Sequence, residues 1–95
     1  DLISADKARE IGLLNRVVPV EKLDQEVTDL ANQIAGKSPL TLAIGKEAFY
    51  RQVEMNLADA YAYASEAMVT NLEARDAEEG ISAFIEKREP KWEGR

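Results

Sequence analysis

Three features of the sequence predict an all-α fold of four to five helices with one short orphan strand near Arg16–Val18. Apolar residues recur at spacings of three and four, the period of a helix with one buried face. Small polar or acidic residues precede these stripes, and glycine or proline follows them, as helix starts and stops do. The one β-prone run, Arg16-Val17-Val18 closed by Pro19, is too short to make a sheet alone and needs a partner elsewhere.

Taken in order, Ser4 caps a short helix through Ala5–Glu10, and Gly12 suits the left-handed residue that ends it. A second helix starts near Val20, carries Leu23, Val27, Leu30, Ala31 and Ile34, and stops at Gly36. Ser38 then supplies a cap with Pro39 at the first helical position. The third helix carries Leu40, Ala43, Ile44, Phe49 and Val53. Gly45 inside it costs about 1 kcal/mol relative to alanine, which points to a close helix crossing there. Asn56 caps the fourth and longest helix, whose stripe Leu57, Tyr61, Ala64, Met68 and Leu72 is expected to face the core. Ala60 and Ala67 flank that stripe and would admit a neighbouring helix closely. Asp76-Ala77-Glu78-Glu79 has the pattern of a capping box and opens a last helix bearing Ile81, Phe84, Ile85 and Arg88, stopped by Pro90. The tail from Lys91 to Arg95 is expected to be extended.

Composition narrows the function. The 95 residues suit one small domain or a piece of a larger one. Apolar content of 45% is enough for a modest core. A net charge of -6 argues against a nucleic-acid partner, which needs a basic face. No apolar run approaches the ~20 residues that span a bilayer, so no membrane partner is expected. Cysteine and histidine are absent, which excludes a disulfide, a cysteine nucleophile, a histidine base and an imidazole metal site within this sequence. The chain opens on Asp1 and reads like the middle of a protein, with no signal-peptide pattern.

Little of the sequence carries catalytic chemistry. Glu78 and Glu79 are adjacent carboxylates, but helix neighbours point about 100° apart and cannot share one site. Helix-start charge is the better account of both. Ser65-Glu66 and the Ser38/Lys46 combination lack an orienting third group and an oxyanion site. Tyr61 and Tyr63 suit packing better than a cofactor. The basic cluster Lys87, Arg88, Lys91 and Arg95 stands out in an acidic chain. Phe84 and Lys87, three apart, can offer a ring for stacking and a cation for phosphate, as a phosphorylated adenine requires. A core phenylalanine beside basic residues that favour a helix C-terminus is the plainer alternative.

Read together, these segments form a pattern. Ile3-Ser4-Ala5, Ala8 and Gly12-Leu13-Leu14-Asn15-Arg16-Val17-Val18-Pro19 come first. Leu30-Ala31, Ile34-Ala35, Ser38-Pro39 and Lys46 follow, and then Glu79-Gly80-Ile81-Ser82-Ala83-Phe84-Ile85-Glu86-Lys87-Arg88 with Pro90 and Trp92. In this order and over the whole length, the set resembles the C-terminal helical segment of the crotonase (enoyl-CoA hydratase/isomerase) family. Lys46-Glu47-Ala48-Phe49-Tyr50 and Met68-Val69-Thr70-Asn71-Leu72 look like its enoyl-CoA hydratase domain-containing branch.

The resemblance implies that residues 1–95 support oligomer assembly and edge a CoA site. The catalytic core, with its oxyanion amides and glutamates, would lie upstream. None of Glu47, Glu66, Glu78 or Glu79 matches a catalytic position, so no catalytic and no metal-binding residue is assigned, and the segment alone is expected to be inactive. Phe84 and Lys87 match the family positions that approach the adenine and its phosphate. The implied partners are acyl-CoA, through its coenzyme A moiety and without a covalently bound cofactor, and further copies of the chain as a trimer or dimer of trimers. The parent activity would be hydration or isomerisation of an enoyl-CoA in fatty acid metabolism. The implied location is cytoplasmic, or mitochondrial in a eukaryote. The competing reading is a free-standing helical interaction module with no CoA role.

Overall fold

A computed structural model of the chain describes residues 2–95, and its helices follow the order expected from the sequence. They are α1 (Ala5–Glu10), α2 (Leu23–Ala35, entered through a 3₁₀ turn at Val20–Lys22), α3 (Pro39–Gln52), α4 (Leu57–Leu72) and α5 (Arg75–Glu86). The chain divides into two units, residues 1–33 and 34–95.

In the first unit the Ser4 hydroxyl accepts the Lys7 amide at 3.1 Å and starts α1. Gly12, at φ 80°, ends it: the Gly12 amide donates to the Arg9 carbonyl and the Leu13 amide to Ala8, a Schellman closure. Ala8 is the buried apolar residue of α1. The expected strand at Arg16–Val18 is absent. Residues 16–19 carry no regular secondary structure, and no strand occurs among the described residues. A strand needs a second edge, and none of the described residues supplies one. Val17 and Val18 are half-buried. Arg16 pairs with Glu26 of α2 at 3.2 Å.

In the second unit the Ser38 hydroxyl caps α3 by accepting the Thr41 amide, with Pro39 at the first helical position. Asn56 caps α4 by accepting the Asp59 amide at 3.0 Å. Helices α3 and α4 form the main helix pair. Their half-buried residues are Leu40, Ile44, Ala48 and Gln52 on α3 and Ala60, Tyr63, Ala67 and Asn71 on α4. The Thr41 hydroxyl donates to the Asn71 side-chain oxygen at 2.9 Å, and Arg51 lies over the Tyr63 ring. On α4 the small residues Ala60 and Ala67 lie on the covered side, as the sequence suggested. The large stripe does not. Leu57, Tyr61 and Leu72 are exposed, and Met68 is 59% exposed, so the expectation that this stripe packs into the segment's own core is corrected. The alanine stripe permits close backbone approach, and the larger residues are left for another surface.

Gly45 also departs from expectation. A Cβ built there meets nothing within 4 Å, so the residue marks no close crossing within this chain. Substituting Gly45→Ala should therefore stabilise the isolated segment by about 1 kcal/mol through helix propensity alone. Urea unfolding followed by circular dichroism measures it; a destabilised variant would mean that the site is covered.

The accessible area is 8064 Å². Two separate compact units of these lengths would expose about 6,500 Å². About 1,500 Å² or more thus remains open that self-sufficient units would cover. Ala8 and Ala83 are the fully buried apolar residues among those described.

Candidate functional site

The tightest part of the chain lies where α5 meets the C-terminal tail. Asp76 is 1% exposed, yet all its polar atoms are paired. One carboxylate oxygen accepts the Glu93 amide at 2.7 Å, and the other accepts the Gly94 amide at 3.1 Å and the Ser38 hydroxyl. The Asp76 amide in turn donates to the Arg95 carbonyl at 2.9 Å. One side chain thereby joins the start of α3, the start of α5 and the tail. The Ser38 hydroxyl holds its carboxyl below the ordinary carboxylate range; burial opposes this, and the Glu93 and Gly94 amides reinforce it.

This corrects the capping-box expectation. The N-cap of α5 is Ala74, which offers no side-chain cap, and Asp76 lies inside the first turn. Its carboxylate turns to the tail, whose amides have no helical partners and need an acceptor.

Glu79, one turn on, grips the other end of the same segment. Its two oxygens accept from the two terminal nitrogens of Arg88 at 2.6 and 3.0 Å, and one also accepts the Lys91 amide at 2.7 Å. The Arg88 bonds and the Lys91 amide hold the Glu79 carboxyl down at about 2. Arg88 also reaches Glu86 at 2.6 Å. Glu78 pairs separately with Arg75. Trp92 lies over Gly80, where an added Cβ would come within 3.2 Å of its ring, and its indole N–H donates to the Gly36 carbonyl at 2.8 Å.

These contacts use one face of α5: Asp76, Gly80 and Ala83, at helical spacing. The face carrying Ile81, Phe84 and Ile85 is open, with Phe84 84% exposed. Within this segment, therefore, Phe84 is not part of a core. Lys87 is placed differently from a simple helical neighbour of Phe84. Helix α5 ends at Glu86, and Lys87 takes the left-handed conformation, φ 55° and ψ 42°. Its amide donates to the Phe84 carbonyl and that of Arg88 to Ala83, a second Schellman closure with lysine where glycine is usual. Among the described residues Lys87 enters no ion pair, whereas Arg88 enters two.

The sequence singled out Phe84 and Lys87 but missed Asp76, Glu79 and Arg88 as a tail clamp. Residues 79 and 88 are nine apart and have no helical relation, so periodicity carries no signal for them. The described residues contain no carboxylate cluster suited to a metal ion and no helix long and apolar enough to cross a membrane.

Comparison with known proteins adds four findings. The family model described as enoyl-CoA hydratase/isomerase matches residues 1–95. Enoyl-CoA hydratase domain-containing protein 3 of Rattus norvegicus, a mitochondrial protein by its name, is 49% identical over 90 residues, covering 95% of this chain and 30% of that protein. The crystal structure of human enoyl coenzyme A hydratase domain-containing protein 3 matches with a TM-score of 0.91 at 46% identity, covering 95% of this chain and 36% of that one. An enoyl-CoA hydratase structure from Mycobacterium smegmatis matches with a TM-score of 0.90 at 44% identity, covering 95% and 35%. The chain thus spans about a third of the length of the relatives it matches.

Proposed function

Because the chain belongs to the enoyl-CoA hydratase/isomerase (crotonase) family, we propose that it is the C-terminal helical segment of an acyl-CoA-processing protein. In that protein it supports assembly of the oligomer and borders the coenzyme A site. Catalysis, hydration or isomerisation of an enoyl-CoA, belongs to residues outside this segment. No carboxylate of the segment is free for it at the clamp: Asp76 and Glu79 are saturated by structural donors. A mitochondrial location in a eukaryote, which the names of the similar proteins support, or a cytoplasmic one otherwise, belongs to the same reading.

One observation carries the CoA reading. A phenylalanine that is 84% exposed stands one turn before a lysine held in the left-handed region without an ion-pair partner among the described residues. Left-handed backbone costs a non-glycine residue roughly 1–2 kcal/mol. Glycine would remove that cost, so lysine at this position is explained by its ammonium group rather than by the turn. Phe84 would stack on the adenine and Lys87 would meet the phosphate of the adenosine end of CoA. The open area of about 1,500 Å² or more favours this reading over a free-standing module.

The test is calorimetric titration of the full-length protein with CoA and dephospho-CoA. Dephospho-CoA should bind wild type on the order of tenfold more weakly, as loss of a partly screened charged hydrogen bond implies. Lys87→Ala should erase that difference. Phe84→Ala should weaken both ligands together, by about tenfold, as loss of one stacked base does. Unchanged affinities in both variants would remove these residues from the site.

A further inference from the structure

We propose that Glu79 and Arg88 are positioning residues for Lys87: their two-pronged contact locks the left-handed turn that presents the Lys87 ammonium group to the phosphate of CoA. The inference rests on the CoA reading above and adds to it how the lysine is aimed.

In a continuous helix, residues nine apart are rotated by about 900°, which places them on opposite faces. Glu79 and Arg88 are nine apart and yet meet through two hydrogen bonds, at 2.6 and 3.0 Å. They can do so because the helix ends at Glu86 and the chain reverses at Lys87. The ion pair therefore requires the left-handed turn, and once formed it holds that turn in addition to its two backbone bonds. The Lys91 amide on Glu79 and the Arg88 side chain on Glu86 hold the reversed chain on both sides of the turn. Arg88 is spent in these contacts, which leaves Lys87 as the cation at the turn that makes no ion pair among the described residues.

Glu79→Gln separates positioning from simple charge. Removing a carboxylate near a phosphate site raises the local positive potential, so charge alone predicts a larger preference for CoA over dephospho-CoA. Positioning predicts the opposite. Without the clamp a lysine visits the left-handed region roughly one time in six to thirty, and the phosphate contact weakens by about that factor.

The experiment measures the CoA to dephospho-CoA affinity ratio in the full-length protein and in Lys87→Ala, Glu79→Gln, Arg88→Ala and Arg88→Lys. The ratio is unmoved by a general loss of folded protein, which lowers both affinities together. It should fall from about tenfold to about twofold or less in Glu79→Gln and Arg88→Ala. Arg88→Lys keeps the charge but loses the two-pronged geometry, and should fall between. If Lys87→Ala erases the ratio while Glu79→Gln keeps or raises it, positioning is wrong and the CoA reading stands. If Lys87→Ala leaves the ratio intact, the CoA reading itself fails and the inference with it.

Discussion

Replacing Asp76 with asparagine should release the C-terminal tail from the helical body. One Asp76 oxygen accepts the Gly94 amide and the Ser38 hydroxyl, and the other the Glu93 amide. An asparagine keeps the size but turns one acceptor into a donor, which then faces a donor whichever way the amide is oriented. A buried donor left opposite a donor is among the costlier local defects. Amide exchange at Glu93 and Gly94 should accelerate by roughly 10- to 100-fold, as local opening predicts. Emission from the single tryptophan, Trp92, should shift to the red as its indole leaves Gly80 and the Gly36 carbonyl. Ser38→Ala, which removes one donor and the α3 cap but leaves the carboxylate, should produce a weaker version.

Acid should act in the same direction. Asp76 and Glu79 both have carboxyls held below their ordinary values of 3.8 and 4.5, Asp76 chiefly by the Ser38 hydroxyl and Glu79, at about 2, chiefly by Arg88. A carboxyl lowered in the folded state contributes stability that is fully present above its unfolded value and lost as pH falls through its folded value. The tail should therefore stay docked from neutral pH to about 4.5 and release progressively towards about pH 2. Trp92 emission across that window reads it. A transition centred near pH 6 would contradict the assignment.

The isolated segment should associate with itself. Met68, Leu72, Ile81, Phe84 and Ile85 are all more than half exposed. The open area of about 1,500 Å² or more on one chain exceeds the ~800 Å² that each partner contributes to a standard protein–protein interface. Exposed large apolar side chains gathered on a chain this small favour association. Sedimentation at tens of micromolar should show dimers or larger species, and Met68→Glu with Ile85→Glu should return the chain towards monomer. A wild-type segment that stays monomeric at that concentration would mean that these faces are covered in some way the structure does not contain.

Much of the helical framework was legible because its signals are local. Ser4, Ser38 and Asn56 each accept a backbone amide three residues on, as their position before an apolar stripe implied. Gly12 takes the left-handed turn expected of it. What failed depended on partners distant in the chain. Asp76 has the local appearance of a cap, but amides 17 and 18 residues away claim its carboxylate. The Met68 stripe has the correct period for burial, yet period says only that residues share a face and not that this chain covers it. Arg16–Val18 has β-prone residues without a second strand. At the candidate site the sequence identified the pair Phe84 and Lys87. The left-handed turn at Lys87 stayed hidden, because a lysine gives no signal for that conformation and the clamp behind it spans nine residues.

The central claim is that the open face of α5 borders the adenosine end of coenzyme A. A crystal structure of the full-length protein with CoA bound tests it most directly. The account predicts the adenine ring stacked on Phe84 and the Lys87 ammonium nitrogen about 3 Å from a phosphate oxygen of the adenosine. A CoA bound with its adenosine away from α5, with Phe84 and Lys87 bare or buried against protein, would contradict it.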